Sequence, residues 1–457
     1  MSNMFPNLQI ALLFPTIEFV IFFLFSFTIW LAIKSNYRLA SLCIFNIIFY
    51  GVFNLPMLAY LITWTILLWI CGHKIRLRYV VIALGIFSLA FWKAVEAKFL
   101  NFTTLATPLG VSFFTFQGLT YLFARMNLPK HKPEQHIDNP WSFMQVFAFT
   151  GFFPTVFSGP ILRAKAWKEF FDNPVELNQK TFSFAMSMIS IGAFYKLCLS
   201  SIFHDYTALA YSNPSEENAL NLLIGMYAYT FEIYHDFAGY SLMAIGIALL
   251  YGFSIPENFK QPYLSINIRD FWQRWHISFS FWLRDYFYIA LGGSKHGVSK
   301  HLRNTFIVML VCGAWHGLSL NYIIWGAIHG FAVIFYHLIK DKIKLPSFIS
   351  WIITFHYVAL AWIFFRSPTA QIAADYIIGL THWSDYYINS FKLLAIILLF
   401  VACLFMQYLE KKFFNQEFTF DSFVFKPIPS IVLWGSIFIL ILILSPSGMP
   451  PFIYFSY

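Results

Sequence analysis

Long apolar runs separated by short polar breaks dominate the chain. They occupy 8–33, 39–54, 56–71, 78–96, 105–124, 141–162, 180–202, 219–234, 238–253, 304–338, 348–366, 391–408 and 428–445. A helix needs about 20 residues to cross the hydrocarbon core of a bilayer. Several runs fall short of that length, so the pattern predicts roughly eleven spans plus re-entrant or buried helices. The run 304–338 is long enough for two elements, with a break expected near Gly313 to Gly317. The expected fold class is an all-α polytopic membrane protein with one integral-membrane domain over 1–457. Within it, N-terminal helices fall in 8–124, a central core in 141–338, and C-terminal helices with a tail in 348–457.

One polar stretch interrupts this pattern. Residues 267–293 read NIRDFWQRWHISFSFWLRDYFYIALGG. Wound as a single helix, Trp272, Trp275, Phe279, Trp282 and Tyr286 fall on one side. Asp270, Gln273, Arg274, Ser280 and Arg284 fall opposite, with His276 at the boundary. The stretch is too charged to cross lipid alone, so it is expected along an interface or lining a polar cavity.

Composition agrees with the apolar pattern. Hydrophobic residues make up 59% of the 457 and charged residues only 11%, where soluble domains carry about 25% charged residues. The net charge of +9 reads as positive-inside loops and attraction to anionic membrane lipid. Nucleic-acid binding would need a basic face on a soluble domain, and the pattern has none. Cys43, Cys71, Cys198, Cys312 and Cys403 sit in apolar stretches without a CxxC pair, and read as core thiols rather than metal ligands. The first apolar run lacks a basic n-region and reads as a retained span. Lys34 and Arg38 precede two apolar runs, and Lys74, Arg76 and Arg78 follow them. Both basic loops are then expected on the cytoplasmic side, with Lys411 and Lys412, and the tail 450–457 outside.

Two runs carry helix breakers. Ala106–Thr120 holds Pro108, Gly110, Gln117 and Gly118, and Gly151–Trp167 holds Pro154, Gly159 and Pro160. Prolines free backbone groups that are tolerated at membrane depth only where protein or water satisfies them. Both read as broken segments beside a cavity, or as proline-kinked packing helices.

The chemistry is expected at imidazoles. His316, between Trp315 and Gly317, lies deep in apolar sequence. Neutral imidazole is cheap to bury and suits proton abstraction from a hydroxyl; the alternative is a hydrogen-bonded structural histidine. His276 is the second candidate. His329 repeats the His-Gly pair and reads as structural, and a metal site shared by His276 and His316 has thin support, since no carboxylate or thiolate cluster accompanies them. Glu232 and Asp236 lie in the run YAYTFEIYHDFAGYSLMAIG, where unpaired carboxylates are costly. Arg274 or Arg284 is the expected partner, in a structural or a substrate role. Lys93, Glu96 and Lys98 read as a snorkelling interfacial group.

These runs together resemble the membrane-bound O-acyltransferase superfamily, in its bacterial branch. That branch holds the membrane proteins of alginate and peptidoglycan O-acetylation and the D-alanyl transfer protein of teichoic acid synthesis. The resemblance rests on LFPTIEFVIFF, TPLGVSFFTFQGLTY, FFPTVFSGPILR, IYHDFAGYSLMAIG, PENFKQPYLSINIRDFWQRWHISFSFWLRDYFYIALGG, WHGLSLNYIIWGAIHG, FFRS and FIYFSY. FFPTVFSGP and DFAGYSL lean toward D-alanyl transfer, since alginate-type members often carry Asp at the position of Leu242. LFPTIEF, the LGG after the core stretch and the tail FIYFSY lean toward O-acetylation.

The resemblance implies a helical funnel with a central tunnel, in the bacterial cytoplasmic (inner) membrane. It implies catalysis at His316 with His276 in the same tunnel, supported by Asp236, Arg274, Trp275, Arg284 and Trp315. It implies no bound cofactor or metal, an acyl donor that is acetyl-CoA or another acyl thioester, and an extracytoplasmic SGNH-type transferase as partner. Tyr454, with Tyr457 as the alternative, matches the tail tyrosine that relays the acyl group. Two other classes remain open from the pattern: a secondary transporter, although no matched pair of interrupted helices is seen, and a noncatalytic scaffold.

Overall fold

A computed structural model describes residues 16–53, 55–97, 108–295, 297–383, 390–413 and 427–444. All regular structure among them is helical. The chain divides into two compact units: Met1–Ala193, Tyr240–Glu257 and Val424–Ile437 in the first, Phe194–Gly239, Asn258–Phe423 and Phe438–Tyr457 in the second. In chain order the helices are α1 (Ile17–Ala32), α2 (Arg38–Phe53), α3 (Leu55–His73), α4 (Arg78–Glu96), α5 (Val111–Arg125), α6 (Phe143–Thr150), α7 (Ala164–Asp172) and α8 (Gln179–Phe194). There follow α9 (Ser201–Ser212), α10 (Ala219–Leu250), α11 (Ile268–Arg274), α12 (Ile277–Trp282), α13 (Val298–His316) and α14 (Leu320–Ile339). The last are α15 (Ser347–Arg366), α16 (Ala370–Gly379), α17 (Ser390–Phe413) and α18 (Pro427–Leu444).

Among the described residues, six helices are long and apolar enough to cross a membrane: Leu55–His73, Arg78–Glu96, Gln179–Ser212, Ala219–Leu250, Leu320–Ile339 and Ser347–Arg366. Shorter apolar helices cover Ile17–Ala32, Ile396–Tyr408 and Trp434–Leu444. The two apolar runs expected at 219–234 and 238–253 are one helix, α10, because no breaker separates them. The run at 180–202 continues to Ser212 through a π-helical segment, Tyr195–Ser200. The break expected near Gly313 to Gly317 falls between α13 and α14. All five cysteines are buried and free, and Lys93 pairs with Glu96 at 2.6 Å.

In the first unit, the proline-bearing segment 151–163 is not a regular helix, yet 151–162 is buried throughout. Polar side chains from neighbouring helices satisfy its backbone. Asn46 accepts from the Phe153 amide at 3.1 Å, and Gln117 accepts from the Leu162 amide at 3.4 Å. Gln117 also donates to the Phe149 carbonyl at 2.5 Å, and Thr120 to the Leu162 carbonyl at 3.2 Å. These bonds are what let irregular backbone sit inside an apolar protein. The other breaker run begins α5: Gly110 precedes it at φ 76°, and a Cβ there would lie 2.4 Å from the Val156 carbonyl oxygen. Only glycine meets both demands.

In the second unit, α13 and α14 form a close antiparallel pair. A Cβ on Gly326 would lie 2.5 Å from the Met309 carbonyl oxygen and 3.4 Å from the Gly313 Cα. The crossing therefore requires hydrogen at both positions. Gly326→Val should force the helices apart, and a thermal-shift assay in detergent is expected to show a loss of about 1–3 kcal/mol, the usual range for overpacking. A variant with wild-type melting would contradict the close crossing.

Candidate functional site

The stretch 267–293 is not one helix. It runs as α11, then breaks: Trp275 is extended at φ −102°, ψ 127°, and His276 is left-handed at φ 44°. It resumes as α12 and passes into a π-helical segment, Leu283–Tyr288. Of the aromatic side expected from the spacing, Trp275, Phe279 and Trp282 are buried while Trp272 and Tyr286 are part-buried, and Phe271, outside that set, is buried as well. The periodicity did not reveal the break because the hydrophobic spacing carries across it. The residues that hold it open lie earlier in the chain. The Asn258 carbonyl accepts from the Ile277 amide at 2.9 Å, and the Arg274 carbonyl accepts from the Lys260 amide at 3.0 Å.

The Asn258 side chain fixes the imidazole as well. Its Oδ1 accepts from the Ser278 amide at 3.2 Å and from Ser278 Oγ at 2.9 Å. It also lies 3.1 Å from His276 Nδ1. An amide donor can only donate, so this atom is the oxygen, and His276 Nδ1 carries the hydrogen. Nε2 is then the basic nitrogen of His276. Asn258→Leu removes the acceptor of three hydrogen bonds at a left-handed residue that is itself strained by about 1–2 kcal/mol. The expected loss is about 2–4 kcal/mol of stability, read as a lower melting temperature. Unchanged melting would show that the break is held by other groups.

His316 ends α13, and its ring is packed by Trp315 (4.5 Å between centroids), Trp325 (5.3 Å), Phe365 (4.8 Å) and Tyr322 (6.4 Å). Trp315 is also in ring contact with His276 at 6.1 Å and with Phe279 at 4.2 Å. The two candidate imidazoles thus stand around one indole, although the sequence separates them widely. His276 is 2% exposed and His316 9%. Phe237 reaches His276 at 4.7 Å, which brings α10 to the break.

The remaining candidates divide. Trp275 is buried among Phe259, Phe271 and Trp362 as part of the aromatic wall. Arg274 pairs with Asp270 at 2.7 Å, and Arg284 with Asp285 at 2.8 Å. Asp236 instead binds Lys196, and both side chains are buried. Glu232 pairs with His204 at 2.8 Å. The expected arginine partners are therefore replaced by a lysine and a histidine from the preceding helix. The signal was present: Lys196 is a lone cation inside an apolar run and needs a carboxylate. Tyr454 and Tyr457 lie outside the described residues. At the start of α13, Tyr288 lies 2.5 Å from His301 Nδ1. Burial and the nearby His337, Arg269 and Lys340 hold His301 below the ordinary imidazole range, which favours its neutral form.

Fold and site together define an integral membrane protein of helices whose interior holds two imidazoles around an indole and a buried ion pair. The membrane-bound O-acyltransferase family model matches residues 57–367, and the chain belongs to that family. It is 35% identical over 320 residues to the probable alginate O-acetylase AlgI of Pseudomonas syringae pv. tomato, covering 68% of this chain and 59% of that protein. It is 30% identical over 397 residues to the peptidoglycan O-acetyltransferase of Helicobacter pylori, covering 80% of this chain and 74% of the relative. To the teichoic acid D-alanyltransferase of Bacillus subtilis it is 31% identical over 286 residues, 57% of this chain and 69% of the relative. The chain spans 59% of the length of the first of these and 63% of that of a Pseudomonas putida alginate O-acetylase.

Proposed function

We propose that the protein is a membrane O-acyltransferase that takes a small acyl group, acetyl in our reading, from a cytoplasmic thioester and passes it to a hydroxyl for O-acetylation of a cell-envelope polysaccharide. The observation that carries this is the pairing of His316 and His276 around Trp315. In the proposed step His316 takes the proton of the acceptor hydroxyl, the hydroxyl oxygen attacks the thioester carbonyl carbon, and the carbon–sulfur bond breaks. The proton then passes to the departing thiolate. Nearby indole or backbone donors stabilise the oxyanion, and His276, whose Nδ1–H is held by Asn258, faces the site with its basic Nε2.

The donor in this reading is acetyl-CoA or another acyl thioester, with no bound cofactor. The membrane is the bacterial cytoplasmic one. Arg269 and Lys340, both near His301, support a cytoplasmic placement of that end by the positive-inside rule. A small neutral acyl group crosses by a central tunnel while its carrier stays behind. Tyr454 accepts it on the outer side, and an SGNH-type transferase partner places it on polymer. Tyrosine suits a relay, because a phenol of pKa about 10 gives a more activated ester than an alkyl alcohol does. We take peptidoglycan as the polymer, in line with the relative matched over 80% of this chain. The higher identity of the alginate O-acetylases, at 35%, favours an alginate-type exopolysaccharide as the second reading.

The test is the purified full chain incubated with acetyl-labelled thioester. Label on the protein or on an added hydroxyl acceptor supports the enzyme; passage of intact donor into vesicles would replace it with a transporter. In the same assay Tyr454→Phe keeps the ring and loses the hydroxyl. Label on the protein should fall to background in that variant, and full labelling would move the relay to Tyr457 or a partner.

A further inference from the structure

His329 is completely buried, in α14. Neither its Nδ1 nor its Nε2 has a hydrogen-bond partner among the described residues. Five rings surround it: Trp325 at 4.9 Å, Trp272 at 5.1 Å, Phe271 at 6.2 Å, Tyr357 at 6.3 Å and Trp362 at 6.4 Å. The one hydroxyl in that shell is already committed, since Tyr357 donates to the Ile328 carbonyl at 2.7 Å. Trp272 and Trp325 are themselves in contact at 5.8 Å, and the indole nitrogen of each is buried without a partner. Three polar side chains in mutual contact therefore leave four nitrogens unsatisfied in an aromatic shell. Leaving such buried groups without a partner is destabilising, and neutral imidazole always presents one donor and one acceptor.

We propose that Trp272, Trp325 and His329 form a binding site for an uncharged oxygen: the carbonyl oxygen of the acyl group, or a water molecule. The indoles and one imidazole nitrogen can only donate, so the ligand must accept; the other imidazole nitrogen accepts, which water can also serve and a carbonyl oxygen cannot. No ion pairs with it in this shell, so it must be neutral. The site adjoins the candidate catalytic imidazole through a shared wall, because the Trp325 ring that touches His329 also stands 5.3 Å from His316. The carbonyl assignment rests on the acyltransferase reading above; the oxygen site itself does not.

The experiment compares His329→Phe and His329→Gln in the purified full chain, reading both the melting temperature and the kcat and KM for acetyl transfer from acetyl-CoA. Phenylalanine fills the shell and removes both nitrogens; glutamine restores a donor and an acceptor. Were the nitrogens truly idle, phenylalanine would be neutral or stabilising. A carbonyl site predicts that kcat falls by about a hundredfold to a thousandfold in His329→Phe, the range for losing one oxyanion donor, with partial recovery in His329→Gln. A water site predicts a lowered melting temperature in His329→Phe, recovery in His329→Gln, and unchanged transfer. Wild-type or raised melting together with unchanged kcat would overturn the oxygen site. If the wild-type chain transfers no acetyl group, the acyltransferase reading and the carbonyl assignment fail, and the melting temperatures still decide whether the oxygen site exists.

Discussion

His316→Ala is expected to leave a folded membrane protein whose acetyl transfer is lower by about two to four powers of ten, the usual effect of losing a general base. Folding should survive because the imidazole closes α13 at its last residue and is walled by rings that also contact one another. Trp325 packs on Phe365 at 5.1 Å, and Tyr322 on Phe365 at 5.2 Å. Truncation therefore opens a small gap in a wall that stands without it. His316→Gln is the stricter variant: it retains polarity and bulk but cannot accept a proton near neutral pH, so it should be as inactive as alanine. Initial rates of label transfer, with membrane abundance measured in parallel, check the prediction. Transfer at the wild-type rate in either variant would remove His316 from the reaction.

The second large effect is expected at Lys196 and Asp236. Both side chains are buried, at 6% and 2% exposure. The π-helical segment Tyr195–Ser200 begins at the residue before Lys196. Breaking a buried pair by removing one partner strands the other charge and costs about 3–5 kcal/mol. Asp236→Leu and Lys196→Met should each lower the melting temperature sharply and reduce the protein recovered from membranes. The double variant should recover most of that loss, because two apolar side chains of similar volume leave no charge to solvate. If the double variant is as damaged as the singles, Asp236 has a role beyond the pair, and the substrate role considered for it from sequence regains weight. Wild-type stability in the single variants would show that the carboxyl is protonated or that the pair is open.

Much of this protein was legible in its sequence. Apolar runs of the right length are obligatory for a chain that lives in lipid, so the all-helical membrane class follows from them. The helix breakers of Gly151–Trp167 announced irregular backbone as one of their two readings; of the polar side chains that serve it, Gln117 stood out in the other breaker run, and Asn46 was not singled out. His316 was conspicuous because an imidazole in apolar sequence is unusual.

Other features could not be read locally. The stretch 267–293 kept its aromatic spacing across a break, and that break depends on Asn258, which lies in an earlier loop. Ion-pair partners were misjudged because charge demand is visible in sequence while reach is not: Arg274 and Arg284 bind carboxylates beside them, and Lys196 takes Asp236. Most plainly, His329 looked like a satisfied core histidine, and only packing revealed that its neighbours are rings with nothing to offer it. Hydrophobic pattern is a property of neighbouring residues along the chain, so it determined the class, the helices and the conspicuous imidazole. Hydrogen bonds, ion pairs and shared aromatic walls join residues far apart in the chain, so the tertiary structure alone decided which imidazoles meet, which charges pair and which nitrogens are left for a ligand.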